Sequence, residues 1–172
     1  MKQGFVQVYT GDGKGKTTAA IGVAVRAAGA GLRVLLIQFL KAGVYSECAG
    51  LARLDDVVEV RQYGTGRFVR EKPSPAEIRA AQEGLRDARE ALDGQAYDVV
   101  ILDEAVTAVS LGLFPLRSLL GVIGSRPGTV ELVLTGRGAP PALVEAADLV
   151  TEMVPVKHYY DRGIPARRGI ES

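Results

Sequence analysis

The chain is predicted to adopt an α/β fold, a mostly parallel sheet with helices on both faces, on three observations. Short apolar runs alternate with helix-length segments along the whole sequence. The runs lack a clean in/out alternation, as expected of strands covered on both sides. A glycine-rich turn joins the first run to the first helix-like segment. Strand–helix alternation of this kind implies right-handed crossovers between parallel strands.

Taken in order, Phe5–Tyr9 is the first predicted strand, and the alanine-rich stretch Thr17–Ala30 the first helix. Val34–Phe39 and Val57–Gln62 follow as strands. Tyr63–Ser74 has no regular pattern and reads as a long loop, with two glycines, Arg67, Phe68 and Arg70. Pro75–Leu92 is the clearest helix. Ser74 is a good N-cap, Pro75 suits the first helical position, and Glu77 completes a capping box. Ile78, Ala81, Leu85, Ala88 and Leu92 recur at helical spacing, and Gly94 is placed to end the helix. Val99–Leu102, Glu131–Leu134 and Leu149–Val154 are the remaining strands, with shorter helices at Pro115–Ile123 and Pro141–Ala147. The tail from Pro155 to Ser172 carries Lys157, His158, Tyr159, Tyr160, Arg162, Arg167 and Arg168 and reads as a loop.

The bulk numbers bound the function. The 172 residues suit a single domain, 1–172, with a real core. Lys plus Arg total 21 against 20 for Asp plus Glu, so charge gives no case for nucleic acid or an anionic membrane. Cys48 is the one cysteine, which excludes an internal disulfide and suits a reducing cytoplasm. No apolar run approaches the roughly 20 residues of a membrane span, and Lys2 is followed by no apolar signal segment. A cytoplasmic location is expected.

Thr10-Gly11-Asp12-Gly13-Lys14-Gly15-Lys16-Thr17-Thr18 reads as a phosphate-gripping loop. Glycines let successive N–H groups point inward at an anion. Lys16 brings charge to the outer phosphates, Thr17 offers a hydroxyl to magnesium, and the following helix adds its positive end. One position departs from the usual pattern: Thr10 stands where a glycine is common. Asp103 and Glu104 end a strand that should finish on the same rim, and either could hold magnesium opposite Thr17. Arg137, in Thr135-Gly136-Arg137-Gly138, should also reach an anion there. Arg26, on the first helix, would meet the nucleotide or a neighbouring carboxylate. The chain has no Asn, so the guanine-reading Asn-Lys-x-Asp motif is absent. The loop makes a nucleoside triphosphate the first candidate ligand but does not say which of its bonds is cut. An ATPase or phosphoryl-transfer enzyme is the alternative to the reading below, and a nucleotide-gated binding module a third.

Together with Gln38-Phe39, Leu102-Asp103-Glu104, Arg126-Pro127, Thr135-Gly136-Arg137-Gly138 and Pro155-Val156-Lys157-His158, the loop resembles the ATP:corrinoid adenosyltransferases of the BtuR/CobO type over nearly the whole chain. The resemblance implies a P-loop NTPase-like sheet of RecA type and transfer of the 5′-deoxyadenosyl group of ATP to a reduced corrinoid cobalt. Tripolyphosphate is the other product. It implies a flavin-dependent reductant for the cobalt and a homodimer. Carried over residue by residue, it implies that Gly11, Asp12, Gly13, Lys14, Gly15, Lys16, Thr17 and Thr18 cradle the triphosphate, with Lys16 catalytic. Thr17 and Glu104 match the family's magnesium positions, with Asp103 adjacent. For the corrinoid it points to Gly66, Arg67, Phe68, Lys157 and His158. Relatives carry Thr-Gly-Phe-Thr-Trp where this chain has Thr65-Gly66-Arg67-Phe68-Val69, so the Trp is lost and the Phe displaced by one. Phe68 is then the expected cap of the lower corrin face. His158, the only histidine, is expected to hydrogen-bond near the ligand or pack the tail rather than bind cobalt.

Overall fold

The computed structural model describes residues 2–67 and 72–171. Six strands form one parallel sheet: β1 (Val6–Thr10), β2 (Val34–Phe39), β3 (Val58–Tyr63), β4 (Val99–Asp103), β5 (Glu131–Thr135) and β6 (Leu149–Glu152). Their order across the sheet is β3-β2-β4-β5-β1-β6. Six helices connect them: α1 (Lys16–Gly29), α2 (Ser46–Leu51), α3 (Pro75–Asp93), α4 (Ala105–Ser110), α5 (Leu116–Ser125) and α6 (Pro141–Ala146). Because every strand runs the same way, all six C-terminal ends reach one rim, where the phosphate-loop sequence also lies.

The two sheet faces bury two separate apolar layers. Leu35, Ile37 and Phe39 of β2 join Val100 and Leu102 of β4 under α3, α4, α5 and α6. Val34 and Leu36 join Val99 and Ile101 on the other face, under the alanines of α1 (Ala20, Ala24, Ala27) and Leu51 of α2. Alternate residues of one strand thus enter opposite cores, which is why the runs are continuously apolar. Small alanines let α1 lie close to the sheet and bring its first turn against the strand ends.

Helix α3 forms as its signals require. The Ser74 hydroxyl accepts from the Glu77 N–H at 3.3 Å and the Glu77 carboxylate accepts from the Ser74 N–H at 2.6 Å. Its end differs from expectation. Gly94 keeps right-handed helical angles, and Gln95 takes the left-handed turn at φ 49°. The strands differ too. β4 and β5 continue through Asp103 and Thr135, one residue past their apolar runs. The backbone ladder does not stop where hydrophobicity does. Helices α2 and α4 have six residues each, too few for a periodic pattern to declare them. In the tail, Tyr159–Arg162 form a single 3-10 turn capped by His158, whose Nδ1 accepts from the Tyr160 N–H at 3.0 Å. No helix among the described residues is long and apolar enough to cross a membrane.

Candidate functional site

A row of polar side chains crosses four strands at the C-terminal rim. Gln62 of β3 pairs in register with Gln38 of β2, and Gln38 with Asp103 of β4. Leu102 pairs with Leu134, so Asp103 stands beside Thr135 of β5. All four continue the rows that face α1 and α2. They are hydrogen-bonded in sequence: Gln62 Nε2 donates to Gln38 Oε1 at 3.0 Å, Gln38 Nε2 to Asp103 Oδ2 at 3.4 Å, and Thr135 Oγ1 to Asp103 Oδ1 at 2.7 Å. Asp103 is 0% exposed, so its charge must be met inside the protein. Thr17 meets it from above, donating its hydroxyl to Oδ1 at 2.7 Å, and Lys41 Nζ meets Oδ2 at 3.0 Å.

The phosphate-loop sequence wraps over this row. Gly11 and Gly15 have φ of 94° and 122°, the left-handed region that glycine alone enters freely. The loop also rests on the end of β6. The Gly13 N–H donates to the Met153 carbonyl at 2.7 Å, and a Cβ on Gly13 would stand 2.6 Å from that oxygen. Glycine is therefore demanded here by close backbone approach as well as by loop shape. Thr10 needs no glycine: its φ is not positive, and its hydroxyl accepts from the Ala139 N–H at 3.2 Å. Lys16 is 7% exposed and donates Nζ to the carbonyls of Gly11 and Gly13 at 2.7 and 2.8 Å. Burial, aided by nearby Arg137, holds its pKa below the ordinary lysine value, against the opposing pull of Glu104, Asp12 and Asp103.

Glu104 sits just past β4 with φ 62°, a strained value for a non-glycine residue. Its N–H donates to Thr135 Oγ1 at 2.9 Å and its carboxylate accepts from the Thr107 hydroxyl at 2.5 Å. The Thr107 hydroxyl oxygen in turn accepts from the Arg137 N–H at 3.0 Å. One polar lattice thus aims Glu104 and Arg137 into the same space.

That space is a cleft of about 680 Å³. Its lining includes Asp12 to Thr18, Glu104, Arg137 and His158. A second lobe of about 480 Å³ shares Asp12, Arg137 and His158 with it and adds Tyr160 and Asp161. The sequence-derived residues divide as follows. Asp12, Gly13, Lys14, Gly15, Lys16, Thr17, Thr18, Glu104, Arg137 and His158 converge, while Gly11 and Asp103 lie beneath as supports. Arg26 does not converge. It is exposed in the last turn of α1, ten residues and about 15 Å of helix beyond Lys16. Gly66 and Arg67 are exposed past the end of β3, where Arg67 lines a shallow recess with Tyr63 and Glu77. Lys157 is exposed and outside the lining of either lobe. Phe68 lies outside the described residues.

Several lining residues escaped sequence reasoning. Lys41, Ser46 and Glu47 form one wall, and Gly169, Ile170 and Glu171 another. Lys41 stands two residues past β2, a position that a rim argument could have flagged. Its pKa is raised: burial opposes the charge, but Asp103 and Glu47 outweigh it. Glu47 is held low although burial opposes its charge, because its hydrogen bonds, Lys41's among them, prevail. The tail reaches the cleft through Lys14, whose Nζ donates to the Ile170 carbonyl at 2.9 Å. Arg167 and Tyr159 hold the Glu171 carboxyl down at about 2.

The donor set, oxygen ligands beside a lysine and an arginine, is of a kind that could hold a hard cation and a polyphosphate. Giving its proton to Asp103 leaves the Thr17 oxygen with lone pairs for a cation, and Glu104 supplies a carboxylate. Among the described residues no group of three or more His, Cys, Asp and Glu could hold a metal by itself. A magnesium ion takes few ligands from protein, and Thr17 and Glu104 could supply two.

A sequence profile of the family described as ATP:corrinoid adenosyltransferase BtuR/CobO/CobP matches residues 2–172. The chain is 36% identical to a corrinoid adenosyltransferase of Pseudomonas aeruginosa, over 99% of this chain and 84% of that protein. It is 35% identical to a corrinoid adenosyltransferase of Escherichia coli K12 and 34% to the corrinoid adenosyltransferase CobA of Salmonella typhimurium. Each of these alignments covers 99% of this chain and 86% of the relative.

Proposed function

We propose, because the chain belongs to the BtuR/CobO/CobP family of ATP:corrinoid adenosyltransferases, that it moves the 5′-deoxyadenosyl group of ATP onto the cobalt of reduced cobalamin or a related corrinoid. Tripolyphosphate leaves, and the product serves adenosylcobalamin biosynthesis or salvage. The carrying observation is the cleft itself. A glycine loop, a buried lysine, Arg137 and the Thr17–Glu104 donor pair all face one volume large enough for a nucleotide.

The reduced cobalt is the nucleophile of the substrate, so no side chain needs to attack. Its electron pair forms the bond to the 5′-carbon as the bond from that carbon to the triphosphate oxygen breaks. Negative charge gathers on the departing polyphosphate. Lys16 exchanges the carbonyls of Gly11 and Gly13 for phosphate oxygens, and the loop N–H groups and Arg137 share that charge. A magnesium ion held by Thr17 and Glu104 supplies further neutralisation when bound. Asp103 fixes the Thr17 hydroxyl from below. The corrinoid is proposed to approach past His158 and the second lobe, which shares Asp12 and Arg137 with the cleft. His158 Nδ1 is already an acceptor for the Tyr160 N–H, which suits a structural role rather than cobalt ligation. A flavin-dependent donor supplies the electrons for cobalt. The protein acts as a homodimer, a reading supported by the outer edge of β6, where Leu149 and Val150 are exposed on an end strand.

The test is optical. With ATP, magnesium and chemically reduced cobalamin under anaerobic conditions, the expected product is an alkylcobalt spectrum that collapses on illumination. Failure of that spectrum to form, with ATP instead split at the same rate whether or not corrinoid is added, would favour an ATPase or phosphoryl-transfer enzyme.

A further inference from the structure

Lys41 belongs to no motif identified in the sequence, yet it holds a central place beneath the cleft. Its side chain is 18% exposed and lies between two carboxylates, Nζ standing 3.0 Å from Asp103 Oδ2 and 3.0 Å from Glu47 Oε1. Gln38 Nε2 bridges the same two oxygens at 3.4 Å each. The other oxygen of Asp103 already accepts from Thr17 and Thr135. The buried carboxylate is thus fully engaged, and Lys41 is the only cation among the described residues in direct ion-pair contact with it, Lys16 acting on it from further away. An ammonium has three donors, and two of these are spent on the carboxylates. The same residue lines the cleft beside Ser46 and Glu47.

This arrangement bears on how a divalent cation enters. A buried, uncompensated carboxylate beside the Thr17 hydroxyl would attract such a cation strongly, with or without nucleotide. With Lys41 seated on Oδ2, the charge is met in advance. We propose that Lys41 is a positioning residue that occupies the electrostatic seat of the divalent cation in the free protein, so that the cation enters only together with the polyphosphate. Lys41 keeps Asp103 aimed as an acceptor for Thr17, and it makes Asp103 an outer support of the cation rather than a ligand. Glu47 sets the strength of the device, because it shares the ammonium. The inference rests on the reading of the cleft as a nucleotide and cation site, and it does not depend on the fate of the adenosyl group.

The test measures free Mn²⁺ by electron paramagnetic resonance, as a stand-in for magnesium, in the absence of corrinoid. Wild-type protein is expected to bind Mn²⁺ weakly alone and at least about tenfold more tightly with ATP. Lys41→Met should bind Mn²⁺ alone about 10- to 100-fold more tightly than wild type, from the Coulomb energy of one freed carboxylate. Lys41→Arg, which keeps the charge, should remain within about threefold of wild type. Lys2→Met removes an exposed cation that lies outside the cleft lining and should shift binding by no more than about threefold, because solvent screens it. A Lys41→Met protein that binds Mn²⁺ no better than wild type, or no better than Lys2→Met, overturns the proposal. If Lys41→Met does not fold, Glu47→Gln provides the opposite sign. Releasing Lys41 wholly to Asp103 should weaken Mn²⁺ binding in the presence of ATP, and unchanged binding overturns the proposal. A wild-type protein that fails to bind Mn²⁺ even with ATP overturns the cation site itself, whatever the outcome of the alkylcobalt assay.

Discussion

At the floor of the cleft, Lys16, Thr17 and Asp103 are held by strand register and by hydrogen bonds to buried groups. At its lip, residues 155–171 are held by one 3-10 turn and by contacts such as that between exposed Arg167 and half-buried Glu171. The floor is fixed by the same interactions that fix the sheet, so it is ready before any ligand arrives. The lip is fixed by pairs that water can replace at little cost. The difference teaches which residues should govern chemistry and which should govern entry. Substitutions in the floor should lower turnover or stability, whereas those in the lip should alter affinity.

The sharpest way to break this contrast is at Lys16. Lys16→Ala should lower kcat/KM for adenosyl transfer by about a hundred- to a thousandfold, the usual cost of losing one preorganised group at a developing charge. Its folding should be nearly unchanged. Near-normal turnover in the alkylcobalt assay would remove the floor from the chemistry.

Two glycines sharpen the structural half of the comparison. Gly13→Ala puts a Cβ 2.6 Å from the Met153 carbonyl oxygen, a backbone atom that cannot step aside. It should destabilise the protein by about 1–3 kcal/mol in urea unfolding, the range for overpacking. Gly22→Ala, in the middle of α1 with nothing within 4 Å, should stabilise by about 0.5–1 kcal/mol through helix propensity. Equal effects would deny that the loop glycines answer to the end of β6.

The smallest effect is expected at the lip. Glu171→Gln should raise KM for ATP by no more than about fivefold and leave kcat unchanged, because it loosens a pair that is solvent-accessible through exposed Arg167. The sign of the pH dependence follows from its carboxyl, held at about 2 by Arg167 and Tyr159 against an ordinary 4.5. A depressed carboxylate stabilises the closed tail fully above 4.5 and loses that contribution as pH falls through about 2. Hydrogen exchange of residues 159–171 should therefore quicken in acid before that of β1 or β4. Exchange that rises equally in tail and strands would put the two regions on the same footing.

Much of the floor was legible in the sequence because local rules specify it. The loop glycines, Glu104 and Arg137 follow strand ends, Lys16 and Thr17 open the helix after the loop, and apolar runs locate strand ends well. Asp103 was legible as a polar residue on the rim, but its burial was not. That depends on Gln38, Thr135 and Lys41 arriving from other strands, and register across four strands is a tertiary fact. The placement of Arg26 is likewise a tertiary fact. It shares a helix with Lys16, but the rise of that helix carries it away from the rim. The tail has no periodic pattern and forms only one short 3-10 turn. Its contact with Lys14 follows from a backbone carbonyl, which no side-chain pattern announces. Short α2 carries no sequence signal, because its six residues give less than two turns and no proline marks its start as Pro141 marks α6, and the Glu47 wall goes with it.

The most direct measurement of the central claim is phosphorus NMR of the reaction mixture, with alkylcobalt formation counted in the same tube. Adenosyl transfer at the 5′-carbon requires tripolyphosphate to appear in equal amount to the alkylcobalt, with no ADP. ADP and phosphate as the main products, formed whether or not reduced corrinoid is present, would contradict the account.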